Sequence, residues 1–216
     1  MPHILQLSSD DHDQLGELLN IGVAHAGTTL SQMTGRRIAI SVPSTSLKDT
    51  RNISDFLDNP DDIVLAVLLR LSGGIDGYIF LIFSRDAIIR LLRVLSGKKI
   101  DDLRELDPYD RSIFQEVGNV LTGGMLQGFS SFLHIPLLHS VPDVVIDMGG
   151  AMFNSLAASM IAHREEFLSL NVSICVDPTE STVDCANGEE ATGRMFLFLG
   201  PDSVKDILAL THPMVS

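Results

Sequence analysis

The chain reads as an α+β protein in which one unit of structure is written twice, and three observations predict this. A skeleton of Asp13, Glu17, Asn20 and Pro43 recurs as Ser112, Glu116, Asn119 and Pro142 at a constant offset, since 112 − 13, 116 − 17, 119 − 20 and 142 − 43 all equal 99. In both copies the skeleton starts on a segment with helical apolar spacing and ends on a β-rich one. Near the end of each copy, GYIFLIFSRDAIIRLL is echoed by GRMFLFLGPDSVKDIL. Two βαββ-like halves, about 9–97 and 110–211, therefore predict one pseudo-two-fold domain spanning 1–216, with two long helices packed on a shared antiparallel sheet.

Each element has its own local reason. Ser9 to Met33 opens with Ser and Asp capping candidates and an acidic first turn, and Gly35 is a natural terminator, so a helix is expected there. Arg37 to Val42 alternates as a strand, with Ile38, Ile40 and Val42 on one face. A short helix is expected around Ser54 to Leu57. Two apolar runs, Ile63 to Leu71 and Gly77 to Phe83, flank Ser72-Gly73-Gly74-Ile75-Asp76 and predict a hairpin. Asp86 to Leu95 has amphipathic spacing and stops near Gly97. The second half repeats the order: a helix over Asp110 to Leu133, a strand over Leu137 to Ile146, a helix over Ala151 to His163, and strands over Phe167 to Val176 and Gly193 to Leu199. Asp177 to Glu190 reads as an acidic loop, and Lys98 to Pro108 as the linker between halves.

Composition narrows the function classes. With 216 residues, 45% of them hydrophobic, the chain can fill a sizeable core. Its 15 basic and 28 acidic residues leave a net charge of −13, which argues against nucleic acid or an anionic membrane as partner. No signal-peptide pattern opens it, and its longest apolar run is far shorter than the ~20 residues of a membrane span. Two cysteines, Cys175 and Cys185, form no CxxC pair, so neither a disulfide framework nor a zinc site is expected and a reducing cytoplasm fits.

The chemistry sits on the two long helices. At about 100° per residue, Asp13, Glu17 and Asn20 share a sector of roughly 60° on the first helix. Leu15, Leu18, Leu19, Gly22, Ala26 and Met33 lie mostly opposite. On the second, Ser112, Glu116 and Asn119 share one face, with Phe114, Val117, Leu121 and Met125 opposite. Both stripes are therefore expected to face outward. Solvated side chains would explain one such stripe, but asparagine is a mediocre helix former, and its presence in mid-helix in both copies suggests use. A carboxamide can accept from and donate to one water, which suits it to hold an attacking water in line with phosphorus, while a glutamate can ion-pair with a partner's basic group. The sequence has no phosphate-cradling GxxxxGK[ST] loop, Ser-His-Asp set or metal-ligand cluster, so the stripes read as half-sites completed by another protein. The glycines of these helices, Gly16, Gly22, Gly27, Gly118, Gly123, Gly124 and Gly128, are read chiefly as close helix packing, with approach of a partner's backbone as the alternative. The two prolines are expected at strand ends. His25 reads as a packed or capping residue, and Cys175 as core.

At these residues the chain resembles the CheC/CheX/FliY family of chemotaxis phosphatases, whose pattern of Asp or Ser, Glu, Asn and Pro both copies match completely. The flanking text ELLNIGVAHAGTTLSQMTGRRIAISVP and EVGNVLTGGMLQGFSSF is also similar to the family's leading helices, and the likeness covers essentially the whole chain. The resemblance implies dephosphorylation of the phospho-aspartate of a CheY-like receiver domain. Asn20 and Asn119 would orient the water, Glu17 and Glu116 would pair with the receiver's active-site Lys, and Asp13 and Ser112 would support the interface. It implies no cofactor on this chain, Mg²⁺ in the receiver, and a CheD-like deamidase as a further partner at Ala151 to His163. A non-catalytic adaptor for such a deamidase or for a receiver-containing protein is the rival reading, and a metabolite-binding regulator a third. A flagellar switch component and a single-motif dimeric protein are disfavoured, the latter because both copies are present. Leu19 stands where the second copy has Gly118, which predicts unequal sites with easier approach at the second.

Overall fold

A computed structural model of the protein describes residues 9–49, 59–159, 166–176 and 189–199. The expected helix near 54–57, most of the acidic loop, the end of the expected helix over Ala151 to His163 and the GPDSVKDIL part of the echoed segment beyond Leu199 lie outside these residues. The fold is α+β. Helix α1 (Ser9–Thr34) leads into strand β1 (Ile38–Asp49), the hairpin β2 (Ile63–Gly73) and β3 (Gly77–Phe83), and helix α2 (Arg85–Ser96). Helix α3 (Pro108–Leu133), strands β4 (Leu137–His139) and β5 (Asp143–Met148), helix α4 (Gly149–Ser159) and strands β6 (Glu166–Val176) and β7 (Glu189–Leu199) follow.

All seven strands join one antiparallel sheet in the order β1-β6-β7-β3-β2-β4, with β5 also on β2. The strand after each long helix is thus bonded to a hairpin from the other end of the chain: β1 to β6, and β4 and β5 to β2. At the centre, β3 and β7 pair so that Phe80 faces Phe196.

The middle strands are apolar on both sides because both faces of the sheet are covered. One face, with Leu65, Val67, Leu69, Ile79, Leu81 and Leu197, packs under α1, α2 and α3. The other, with Val64, Ala66, Phe80, Ile82, Phe196 and Phe198, takes Met152 and Phe153 of α4. There the Phe153 and Phe196 rings meet edge to face at 5.5 Å, and Phe80 and Phe198 at 5.4 Å.

Two strand expectations need correction, both at a proline. Strand β1 does not end at Val42 but continues through Pro43 to Asp49, and the β1–β6 register shifts between Ser41 and Ser44. A proline is tolerated there because β1 is an edge strand and the register shift already interrupts the ladder. The strand expected over Leu137 to Ile146 is two strands with Pro142 between them. At the break the Ser140 hydroxyl accepts from the Arg70 N–H (3.0 Å), a side chain in place of a strand carbonyl, while the Ser140 N–H donates to the Arg70 carbonyl (2.9 Å). Expectations about side chains also fail. Met33, on the last turn of α1, is exposed rather than packed inward. Cys175 is buried as expected, but it is disulfide-bonded, against the expectation of no disulfide framework.

The expected linker is an ordered clasp that aims α3. Asp102 and Glu105 close a capping box on a short 3-10 turn (Leu103–Glu105), and Asp107 and Asp110 close another on α3, with Pro108 in its first turn. Lys98 joins the two: its ammonium donates to Asp107 Oδ2 (2.9 Å), to the Glu105 carbonyl (3.3 Å) and to the buried Asp110 carboxylate. Bonds to Asp110 and then Asp107 hold the Lys98 ammonium above the ordinary lysine pKa. The Asp110 N–H, and then Lys98, hold the Asp107 carboxyl below the ordinary aspartate value. A carboxyl whose pKa is lowered by folding stabilises the fold above its unfolded pKa, and that contribution is lost as pH falls through the lowered value. Acid unfolding followed by circular dichroism should therefore show a stability loss below about pH 4 that is smaller in Asp107→Asn than in the parent chain.

Candidate functional site

The glycines fix how the two stripe-bearing helices sit. A Cβ on Gly22 would lie 2.6 Å from Met125 Cα, and one on Gly124 would lie 2.7 Å from the Gly22 carbonyl oxygen and 2.9 Å from Ala26 Cβ. Helices α1 and α3 therefore touch backbone to backbone at Gly22 and Gly124, an approach no larger residue permits. Gly27 faces the sheet, its would-be Cβ 3.1 Å from the Ile38 carbonyl. These glycines do the packing work rather than admitting a partner.

With those faces buried, the opposite faces turn out. Glu17, Asn20, Ala24 and Thr28 form an exposed row on α1, whereas Val23, Ala26 and Leu30 are buried. On α3, Ser112 and Glu116 are exposed and Asn119 is half-buried, while Phe114, Val117, Leu121 and Met125 are fully buried, as the spacing predicts. Asp13 lies in the first half of α1; its side chain is outside the described residues. Ser112 turns its hydroxyl back to donate to the Tyr109 carbonyl at 2.6 Å. His25 is exposed rather than packed.

Each helix is tied to the segment that follows it. The Ser31 hydroxyl donates to the Ile38 carbonyl (3.2 Å) and accepts the Ile38 N–H (2.8 Å), fastening the end of α1 to the start of β1. Ser130 fastens α3 in the same way, donating to the Ile135 carbonyl at 2.6 Å. These serines were legible in the repeat, since 130 − 31 is also 99, but a lone serine late in a helix carries no signal unless the two copies are laid over each other.

Nearer the stripes the ties differ. Asn20 accepts the Val42 N–H on Oδ1 at 3.1 Å, just ahead of Pro43. Proline holds its preceding residue extended, which keeps that N–H in place. In the second half it is Gln115 that reaches across, its Nε2 donating to the Pro142 carbonyl in the break between β4 and β5 at 3.2 Å. Among the described residues Asn119 makes no side-chain hydrogen bond.

The expected reason for unequal sites needs correction. Gly118 does not open the second stripe to a visitor: a Cβ there would lie 2.5 Å from Val67 Cγ1, so the missing side chain makes room for strand β2 beneath the helix. No group of three or more His, Cys, Asp or Glu side chains among the described residues could hold a metal ion. None of the described helices is long and apolar enough to cross a membrane.

What this arrangement offers chemically is two outward carboxylates, each followed one turn later by a carboxamide, on rigid helices. Comparisons with known proteins agree with the pattern. The model of the CheC-like family matches residues 13–47, which contain the whole first copy of the skeleton. The chain is 27% identical over 203 residues to the CheY-P phosphatase CheC of Bacillus subtilis, covering 93% of each. In fold it is similar to Thermotoga maritima FliY (20% identity, TM-score 0.73, covering 95% of this chain and 98% of that one). It also matches the FliM middle domain of Vibrio alginolyticus (15% identity, TM-score 0.62, covering 91% and 99%). By the motif within residues 13–47, by likeness over nearly its whole length and by fold, the chain is similar to the CheC-like family.

Proposed function

We propose that this protein is a phosphatase for the phospho-aspartate of a CheY-like receiver domain in chemotaxis signalling. The observation that carries the reading is the doubled stripe of exposed Glu and neighbouring Asn on α1 and α3, in a chain whose relative over nearly its whole length is a CheY-P phosphatase. An acyl phosphate needs little covalent help, because its carboxylate is a good leaving group; what limits hydrolysis is a water held in line behind the phosphorus. To attack, the water must point a lone pair at phosphorus and give an O–H to an acceptor. A carboxamide oxygen supplies that acceptor, and its NH₂ can donate to a phosphoryl oxygen. The water oxygen bonds to phosphorus as the bond to the aspartate oxygen breaks; both water protons go with the phosphate, released as H2PO4−, and the carboxylate stays on the receiver.

In this reading Asn20 and Asn119 orient the water, and Glu17 and Glu116 pair with the receiver's lysine ammonium and set the docking register. Asp13 and Ser112 border the contact. Any Mg²⁺ belongs to the receiver, where it would neutralise phosphoryl charge, and no cofactor is assigned to this chain. The two related halves act as a single domain, since each completes the other's sheet.

The test is phosphate release from a phosphorylated CheY-like receiver with Mg²⁺, with and without the purified chain. Acceleration that scales with chain concentration is expected. If the receiver's own decay rate is unchanged at saturating chain, the phosphatase reading fails. The chain would then stand as an adaptor, for which binding of a CheD-like deamidase to α4 is the measurement to make.

A further inference from the structure

The ties between helix and strand carry an inference beyond the shared motif. In the first half the carboxamide of Asn20 is itself the tie, its oxygen engaged by the Val42 N–H at 3.1 Å. In the second half the tie has moved one helical turn earlier, to Gln115 and the Pro142 carbonyl at 3.2 Å. The first copy cannot do the same, because position 115 − 99 is Gly16, which has no side chain to reach with. Residues 115 and 119 lie on the same face of α3, so the Gln115 bond fixes the β4–β5 break beside that face without engaging Asn119. The strand itself differs accordingly. Val42 is 6% exposed beneath Asn20, whereas its counterpart Val141 (42 + 99) is 84% exposed.

We infer that Gln115 is a positioning residue of the second stripe and that the two stripes are unequal in chemistry, the second being the stronger. The inference rests on the phosphatase reading above and adds a division of labour to it. A carboxamide oxygen has two lone pairs. On Asn20 one is committed to Val42, so the water must compete for the remaining direction. On Asn119 both remain for the water, while Gln115 carries the structural load. The unequal sites expected from Gly118 are thus explained by a different residue, one turn earlier on the helix.

Four variants of the full chain test this: Asn20→Ala, Asn119→Ala, the double variant, and Gln115→Glu in the Asn20→Ala background. Gln115→Glu keeps the shape of the side chain but removes the NH₂ that donates to Pro142. Single-turnover phosphate release from a phosphorylated CheY-like receiver with Mg²⁺ should fall about tenfold further in Asn119→Ala than in Asn20→Ala. Gln115→Glu should lower kcat several-fold with KM unchanged, as expected when a reacting group is misaligned without loss of docking. Equal losses from the two single asparagine variants overturn the inference, as does a Gln115→Glu effect confined to KM or to thermal stability. Wild-type release by the double variant would instead sink the water-orienting role of both asparagines, whereas a parent chain that leaves the receiver's own decay unchanged would sink the phosphatase reading. The tie is read independently of any receiver by hydrogen exchange: the Val42 amide should exchange faster in Asn20→Ala and not in Asn119→Ala, and unchanged exchange in both overturns it.

Discussion

Replacing Asn20 and Asn119 together by alanine is expected to lower receiver dephosphorylation about 10²-fold or more while the chain still docks. The size follows from the role: a water-orienting group contributes only as the reaction proceeds, and losing one such group typically costs two or three orders of magnitude. In the proposed reading docking is set elsewhere, by Glu17 and Glu116, both exposed on their helices' outward faces. Neutralising them to glutamine should raise KM and leave saturated turnover less affected, the reverse of the asparagine pattern. The outcome that sinks this assignment is a double asparagine variant whose saturated rate equals that of the parent. Folding is a controllable complication, because Asn20 also holds Val42; a melting curve on the same preparations separates lost chemistry from lost structure.

The second large effect is at the crossing of α1 and α3, where adjacent glycines should respond with opposite signs. Gly124→Ala places a Cβ 2.7 Å from the Gly22 carbonyl and 2.9 Å from the Ala26 backbone nitrogen. Neither can swing aside, so the helices must part, at about 1–3 kcal/mol even after the gain in helix propensity. Gly123→Ala meets nothing nearer than His139 Nε2 at 3.7 Å, an ordinary contact. There the propensity gain of about 0.5–1 kcal/mol should remain, raising Tm by about 1–4 °C in a chain of this size. Thermal unfolding of the two variants side by side checks both, and a Gly124→Ala protein as stable as its parent would show that the crossing is not backbone-tight. Because parting the helices also moves both stripes, Gly124→Ala should lose turnover as well.

Much of the fold was legible because its signals are local. The hairpin of β2 and β3 is announced by two apolar runs around Gly73-Gly74, α2 by the amphipathic spacing from Asp86 to Leu95 and by Gly97, and the α3 face by Phe114, Val117, Leu121 and Met125. The errors fall where a distant partner decides. Whether Leu137 to Ile146 is one strand or two depends on Ser140 meeting Arg70, 70 residues away. Whether β1 stops at Pro43 depends on β6, which arrives from the other end of the chain. The stripe residues were legible for a different reason, since the offset of 99 marked them whatever their neighbours. Their hydrogen bonds were not, because Asn20 and Val42 are 22 residues apart and Gln115 and Pro142 are 27.

By itself the sequence determined which residues face outward and that they do so twice, because helical periodicity and a repeated register need no knowledge of what lies across the core. Only the tertiary structure decided what holds them. Gly118 faces Val67 rather than a visitor, α1 and α3 meet at Gly22 and Gly124, and the two asparagines that look alike in the repeat differ in whether their oxygen is engaged. The physical reason is that a hydrogen bond or a close approach belongs to a pair of groups, and the partner of each of these side chains is supplied by another element of the fold.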